Sequence, residues 1–183
     1  MDESLLTQVI DIQNDVRAAF GWPYKDDVKS ANGLYQLFQT SEPLGVAHWS
    51  NEARQHTLST VRDVLRKSHH IVVVGAATAQ GDFNREWPRG TSFIAADGAV
   101  GAFPDDIKPV CVVTDLDGAE HLDRAASAGV TLVVHAHGDN QHRWERMIPQ
   151  WAENGQPPLV LTHQTGESYE GMYNPGGFTD GDR

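Results

Sequence analysis

The chain of 183 residues is 39% hydrophobic and 21% charged, which suits one globular domain with a single core. Its formal charge of −11 leaves no basic stripe for neutralising phosphates, so we expect no nucleic-acid partner. The chain lacks a run of about 18 apolar residues, which argues against a membrane-spanning helix, and its single cysteine, Cys111, excludes disulfides and a cysteine-based zinc site.

The first 68 residues have the pattern of a helical segment that packs on a following domain. The N-terminus is acidic where a secretory signal would be basic, which predicts a cytoplasmic protein. A first helix is expected up to Gly21, a second over residues 25–38, and a third from Ser50 or Asn51, either of which can cap a helix. The first helix carries an apolar stripe at spacings of three and four, typical of a helix face packed on a core: Leu5, Val9, Ile12, Val16 and Ala19.

The rest of the chain, residues 69–183, alternates apolar strand candidates with helix-like stretches. Helices are predicted over residues 119–128 and 140–153, the second interrupted by Pro149. The tail from Gly166 has the composition of a loop. Alternating strands and helices predict an α/β fold of βαβ units, with a mostly parallel open sheet covered on both faces. The predicted strands are 71–75, 92–96, 110–114, 130–135 and 158–162.

The predicted strands end in polar or glycine residues, and three of them end in aspartate. In open α/β sheets, ligands bind at the carboxyl ends of the strands, near the point where strand order reverses. If the chain stays extended past Thr114, the next two aspartates point to the same side. We therefore expect four carboxylates around one crevice, an all-oxygen environment that suits Mg²⁺ and substrate phosphates. They are Asp97, Asp115, Asp117 and Asp139.

The turn after the first predicted strand, with Gly75 and Thr78, is a weaker candidate for binding phosphate. It lacks the spacing and the lysine of a P-loop, and it has only one glycine of a dinucleotide-binding fingerprint. Its backbone N–H groups could still contact an anion where a strand passes into a helix. A plain tight turn explains the same residues, so both interpretations stay open.

The histidines after the fourth predicted strand suggest a different function, that of a metal-dependent hydrolase. His135, His137 and Asp139 are spaced like the start of a zinc-ligand set, to which His163 could add a third nitrogen. Asn140 stands where an enzyme of the metallo-β-lactamase type would carry another histidine, and such an enzyme has mainly antiparallel sheets. The hydrolase stays open as the alternative.

Four short blocks occur in order along the second half of the chain. They are ADGA at residues 96–99, VVTDLDG at 112–118, VVHAHGDN at 133–140 and GGFTDGDR at 176–183. Together they resemble the archaeal 6-hydroxymethyl-7,8-dihydropterin pyrophosphokinases, which are themselves similar to thiamin pyrophosphokinases. The two long blocks together are a specific signal, whereas any one block alone would be weak.

The resemblance implies an ATP- and Mg²⁺-dependent transfer of diphosphate to the hydroxymethyl group of the pterin, with release of AMP, in folate or tetrahydromethanopterin biosynthesis. It implies a thiamin-pyrophosphokinase-like core in which the four aspartates hold Mg²⁺ and ATP phosphates, and in which Asp115, Asp117 and Asp139 are catalytic. The partners would be small-molecule substrates, with no membrane, and the thiamin type makes a homodimer reasonable. Further expected contacts with ATP come from Gly75, Thr78, Gly98, His135, His137 and Asn140.

Asn140, Phe178 and Asp180 are the expected contacts with the flat pterin, by stacking or hydrogen bonding. One departure from the family pattern follows Gly75, where the family has a second glycine and then Pro-Ser-Leu, so the backbone contacts with ATP are in question there. The second departure is that the family chain continues past residue 183 into another helix and more sheet. We therefore expect the C-terminal part of the fold to be missing, and a non-catalytic nucleotide-binding domain is a third possible function.

Overall fold

The computed structural model describes residues 3–177, 179–181 and 183. Three helices come first: α1 (Glu3–Phe20), α2 (Tyr24–Leu37) and α3 (Asn51–Lys67). The elements that follow in these ranges are β1 (His70–Val74), β2 (Thr91–Ala96), β3 (Cys111–Thr114), α4 (Glu120–Ser127), β4 (Thr131–Ala136), α5 (Gln141–Glu153), β5 (Leu159–His163) and β6 (Met172–Tyr173). The predicted α/β fold with a helical segment before the sheet is confirmed.

The described strands form one sheet that is parallel throughout, in the order β1-β2-β3-β4-β5-β6. The five predicted strands are confirmed, with ends that differ by one residue at most. The predicted loop-like tail contains β6, which the pattern missed because a two-residue strand has no periodicity to detect. Strand order follows chain order, so the expected reversal of strand order is absent among the described strands.

Local signals account for the end of α1 and the start of α3. Gly21 ends α1 with a φ of +69°, and the N–H of Trp22 then donates to the carbonyl oxygen of Arg17 at 3.0 Å. Ser50 caps α3, because its hydroxyl oxygen accepts the N–H of Ala53 at 3.3 Å. These contacts fix the end of α1 and the start of α3 within the helical segment.

The predicted interruption of α5 at Pro149 is wrong, since the helix continues from Gln141 to Glu153. Proline removes one backbone hydrogen bond from a helix interior. In α5 the flanking side chains of Trp144, Ile148 and Trp151 are all buried, and this packing offsets the loss.

The predicted apolar stripe of α1 is not its buried face. Leu5 and Ile12 are 51% and 59% exposed, whereas Gln13 and Arg17 are 1% and 4% exposed. Gln13 exchanges two amide hydrogen bonds with Asn174, at 3.1 and 3.2 Å. The stripe prediction fails because α1 packs against polar groups beyond the strand ends rather than against the apolar core.

The main core lies on one face of the sheet, beneath α2, α4 and α5. Alternate strand residues such as Val112, Leu132 and Leu161 reach it and are fully buried. The opposite face is covered less completely than predicted, because Ile71 and Val73 of β1 are 49% and 53% exposed. None of the helices in the described ranges has both the length and the apolar character that crossing a bilayer requires.

Candidate active site

Three aspartates gather at the carboxyl ends of β2 and β3. Asp97, Asp115 and Asp117 each place a carboxylate oxygen within 4.8 Å of the others. The chain does not stay extended past Thr114, because Leu116 between the two later aspartates has a φ of +75°. The buried side chain of Leu116, 2% exposed, packs in the core and anchors this strained backbone. The two carboxylates therefore meet through a tight turn rather than through strand alternation.

Asp97 is the most buried of the three, at 8% exposure. It accepts a hydrogen bond from the Thr114 hydroxyl, which itself accepts the backbone N–H of Leu116 at 2.8 Å. Burial, and then a hydrogen bond with Asp117, raise the pKa of Asp97 to about 7. The negative charge of Asp117 nearby also disfavours the ionised form of Asp97, because like charges this close repel each other.

Gly118 allows the ends of β2 and β3 to approach this closely. A Cβ atom at this position would lie 2.7 Å from both Asp97 Oδ2 and the backbone nitrogen of Gly98. Only glycine fits here without moving backbone. The glycine that follows the paired aspartates in the sequence is therefore part of the site.

The three-aspartate group meets the requirements of a divalent cation. Its donors are carboxylate oxygens, the ligands that Mg²⁺ prefers. Asp115 Oδ1 is buried yet has no hydrogen-bond partner, and the nearest cation in an ion pair with it, Arg143 Nη1, is 3.8 Å away. Buried carboxylate oxygens are normally paired, so an unpaired one beside two further carboxylates fits a metal ligand.

The carboxyl group of Asp115 is held in its ionised form. Burial opposes ionisation, but the hydrogen bond from His137 and the positive charges of His137, Arg143 and Arg183 outweigh it and lower the pKa of Asp115. An ionised carboxylate is the form that binds a metal.

His137 bridges two carboxylates. Its Nε2 lies 3.1 Å from Asp115 Oδ2, and its Nδ1 lies 2.8 Å from Asp139 Oδ1. The Asp139 side chain is 76% exposed and lies outside the group formed by the other three aspartates. The structure thus brings together three of the four predicted metal ligands, and it connects the fourth to them through a histidine.

His135 and Asn140 are completely buried, so the predicted direct contacts with a ligand do not match their positions. His135 bonds Thr162 Oγ1 at 2.9 Å, and burial, followed by the charge of Arg183, holds its pKa well below 6.5. The Asn140 amide donates to the carbonyl oxygens of Asp115 and His135, at 2.9 and 2.6 Å. Both side chains hold the ends of neighbouring strands in place.

The zinc-ligand set of the hydrolase alternative is not formed. Within the part of the chain that the structure describes, His135, His137 and Asp139 do not make a second cluster of ligand atoms. His163 is 3% exposed, and its Nδ1 accepts the backbone N–H of Thr165 at 3.2 Å. The parallel sheet also differs from the antiparallel layers of that enzyme type.

A large cleft of about 810 Å³ opens on one side of the aspartates. Asp97 and Asp117 line it, and so do three other residues predicted to contact ATP: Gly75, Thr78 and Gly98. Asp180 also lines this cleft, and burial, followed by the charge of Asp115, raises its pKa to about 6. The predicted substrate contact Phe178 lies outside the described residues.

A smaller pocket of about 360 Å³ adjoins the third aspartate, Asp115. His137 also lines it, and the turn between α1 and α2 forms part of its wall. Its lining residues are Trp22, Pro23, Asp26, Asp27, Asp115, His137, Gly138, Asp139, Gln164 and Arg183.

A buried ion pair links this turn to the strand ends, and the sequence patterns did not predict it. Arg17 Nε lies 2.6 Å from Asp27 Oδ2, and Asp27 Oδ1 accepts the backbone N–H of Gly138 at 2.7 Å. Gln164 Nε2 donates to both Asp27 oxygens at 3.0 Å. The sequence shows only that a polar residue, Arg17, lies in the first predicted helix. Its burial, which marks it as part of an ion pair, is visible only in the structure.

Comparison with known proteins gives three archaeal relatives, while no family model matches the chain. The chain is 44% identical over 108 residues to the 6-hydroxymethyl-7,8-dihydropterin pyrophosphokinase of Pyrococcus furiosus, covering 58% of this chain and 42% of that protein. The proteins of the same name from Methanothermobacter thermautotrophicus and Methanocaldococcus jannaschii are 33% identical over 135 residues and 30% identical over 174 residues. These matches cover 71% and 93% of this chain, and 56% and 68% of the two relatives.

Proposed function

The chain belongs to the family of archaeal 6-hydroxymethyl-7,8-dihydropterin pyrophosphokinases, and we propose that it transfers diphosphate from ATP to the hydroxymethyl group of that pterin. The acceptor hydroxyl oxygen forms a bond to the β-phosphorus of ATP. The bond from that phosphorus to the oxygen of the α-phosphate breaks, AMP leaves, and the hydroxyl proton is released. The product would be an activated pterin for folate or tetrahydromethanopterin biosynthesis.

The observation that carries this proposal is the three-aspartate group between two cavities. Asp97 and Asp117 line the large cleft, and Asp115 lines the smaller pocket. A phosphorus atom held at the aspartates would therefore adjoin both a donor site and an acceptor site. Transfer requires that the two substrates be brought together at the reacting phosphorus.

Mg²⁺, when bound, would neutralise the phosphate oxygens of ATP and so lower the charge barrier to attack. Asp97, Asp115 and Asp117 would hold it. The chain's own role is then chiefly to position the reactants. Thr114 orients Asp97 through its hydroxyl, and His137 orients Asp115.

The large cleft is the proposed nucleotide site. Gly75 and Gly98 leave space and backbone N–H groups near the carboxylates, and Thr78 adds a hydroxyl. Asp139 remains the proposed proton acceptor, because it lies outside the three-aspartate group and is not committed to the cation.

The test is a product assay with 6-hydroxymethyl-7,8-dihydropterin, ATP and Mg²⁺. We expect AMP and the pterin diphosphate in equal amounts, and neither product after chelation of the metal. Formation of ADP would contradict diphosphate transfer. Binding of Mg·ATP without any AMP would identify a non-catalytic nucleotide-binding domain, and zinc-dependent hydrolysis would identify the hydrolase.

A further inference from the structure

We propose that the smaller pocket holds the flat ring of the acceptor alcohol, and that Trp22 on its rim recognises this ring by stacking. The ligand class is a bicyclic amino-heterocycle that carries a primary alcohol. The identity of this acceptor rests on the proposed function. Its assignment to the smaller pocket rests on the residues that line that pocket.

The two cavities differ in size in the way that the two substrates differ. The large cleft measures about 810 Å³ and the smaller pocket about 360 Å³. Small-ligand sites fall between about 300 and 1,000 Å³, so the smaller pocket suits a single bicyclic ring and the larger one a nucleoside triphosphate. Because Asp115 lines the smaller pocket and belongs to the three-aspartate group, an acceptor bound in this pocket would lie beside that group.

Trp22 exposes a large flat surface at this pocket. Its side chain is 53% exposed and stacks on Phe20, which is 67% exposed, with ring centroids 4.9 Å apart and planes 18° apart. Two large aromatic rings in water forgo the stabilisation that burial would give them. A flat ligand ring in the pocket would cover Trp22 and extend the stack.

The backbone of Trp22 is held by contacts within the chain. Its N–H donates to the Arg17 carbonyl oxygen at 3.0 Å, and the proline that follows, Pro23, restricts the backbone conformation of Trp22. The Arg17 side chain pairs with buried Asp27, which accepts the backbone N–H of Gly138, another residue that lines the pocket. A backbone that is already held in place lowers the conformational entropy lost on binding.

The charges of the pocket also favour this ligand. Asp26, Asp115 and Asp139 line it. Carboxylates accept hydrogen bonds from the ring N–H and amino groups of an amino-heterocycle. Of the residues predicted earlier as pterin contacts, Asn140 is buried and Asp180 lines the large cleft.

The experiment compares Trp22→Leu, which removes the flat ring, with Trp22→Phe, which keeps one. Tyr173→Leu is the matched control, because Tyr173 is 39% exposed but lies on β6 outside both cavities. Binding of oxidised 6-hydroxymethylpterin is measured by its own fluorescence, separately from the KM values for acceptor and ATP. We expect Trp22→Leu to weaken pterin binding and to raise the acceptor KM by about tenfold, with the ATP KM unchanged.

Trp22→Phe should stay close to the unaltered chain in both measurements, and so should the control. Pterin binding to Trp22→Leu as tight as to the unaltered chain overturns the inference while the proposed function stands. A rise in the ATP KM alone also overturns it. If the unaltered chain binds pterin but forms no AMP, the proposed function fails, and the binding comparison still decides the role of Trp22. Absence of pterin binding overturns both.

Discussion

The protonation of Asp97 shows how a buried carboxyl group is accommodated beside another aspartate. Its pKa of about 7 means that a large share of the molecules carry a proton on Asp97 near neutral pH when no cation is bound. The cost of bringing it beside Asp117 is thus reduced by protonation rather than by an arginine or lysine side chain. A divalent cation would displace this proton and take over the neutralising role.

The first prediction concerns Asp115→Asn and Asp117→Asn. Each change removes one anionic ligand but keeps the shape of the side chain, so we expect at least a hundredfold loss of kcat, about the effect of removing one key electrostatic contact. Thermal unfolding of Asp117→Asn should show a Tm equal to or above that of the unaltered chain, because its like-charge contact with Asp97 is relieved. Asp115→Asn should fold with a lower Tm, because the pairs of Asp115 with His137 and Arg143 are lost. Asp105→Asn, at an exposed position, is the control. Full activity of both variants would show that these aspartates only end a strand.

The second prediction concerns pH and the free energy of unfolding. Burial lowers the pKa of His163 from 6.5 to about 4, so the unfolded chain binds a proton in this interval that the folded chain does not. The contribution of neutral, buried His163 to the free energy of unfolding is complete above pH 6.5. This contribution decreases as the pH falls towards 4, by about 3 kcal/mol in total.

The check is urea unfolding of the unaltered chain and of His163→Asn between pH 4 and 7. The asparagine oxygen can replace Nδ1 as the acceptor for the Thr165 N–H. Asp97 and Asp180 titrate in the same range in both proteins, so their effects cancel in the difference. A difference in the free energy of unfolding that does not change with pH would contradict this account.

At the scale of the elements, the site depends on how closely the ends of β2 and β3 approach. The turn after β3 achieves this with Leu116 anchored in the core and Gly118 against Gly98. The turn between α1 and α2 is attached to the same region by the Arg17–Asp27 pair. Side chains on the helical segment thereby share a pocket with residues that follow the strands.

The third prediction is that Gly118→Ala separates these strand ends. The added Cβ would lie 2.7 Å from a backbone nitrogen, so backbone has to move, and we expect a loss of about 1–3 kcal/mol in the free energy of unfolding. Transfer activity should fall with it. Gly81→Ala is the control, because a Cβ there meets nothing within 4 Å. Unchanged stability and activity in Gly118→Ala would argue against the close approach.

At the scale of the whole molecule, the parallel sheet could be predicted because buried parallel strands are short apolar runs bounded by polar residues. The meeting of Asp97 with Asp115 followed from the rule that parallel strands end at one edge. The outward position of Asp139 did not, since it depends on the loop after β4 and on its contact with His137. The pocket wall at Trp22 also escaped prediction, because contacts between distant segments leave no periodic signal in a single sequence.

The chain spans between 42% and 68% of the length of the relatives it matches. The predicted division into a helical segment, 1–68, and an α/β domain, 69–183, stays a prediction. In the described residues the main core combines side chains of α2 with those of β2 to β5.

The most direct test of the central claim is the binding of Mn²⁺, a paramagnetic substitute for Mg²⁺, followed by electron paramagnetic resonance. The claim is that Asp115 and Asp117, with Asp97, hold the cation and that Asp139 does not. We expect Asp115→Asn and Asp117→Asn to weaken Mn²⁺ binding by about tenfold or more, and Asp139→Asn to bind it as the unaltered chain does. Equal binding by all three variants, or a loss confined to Asp139→Asn, would contradict the claim.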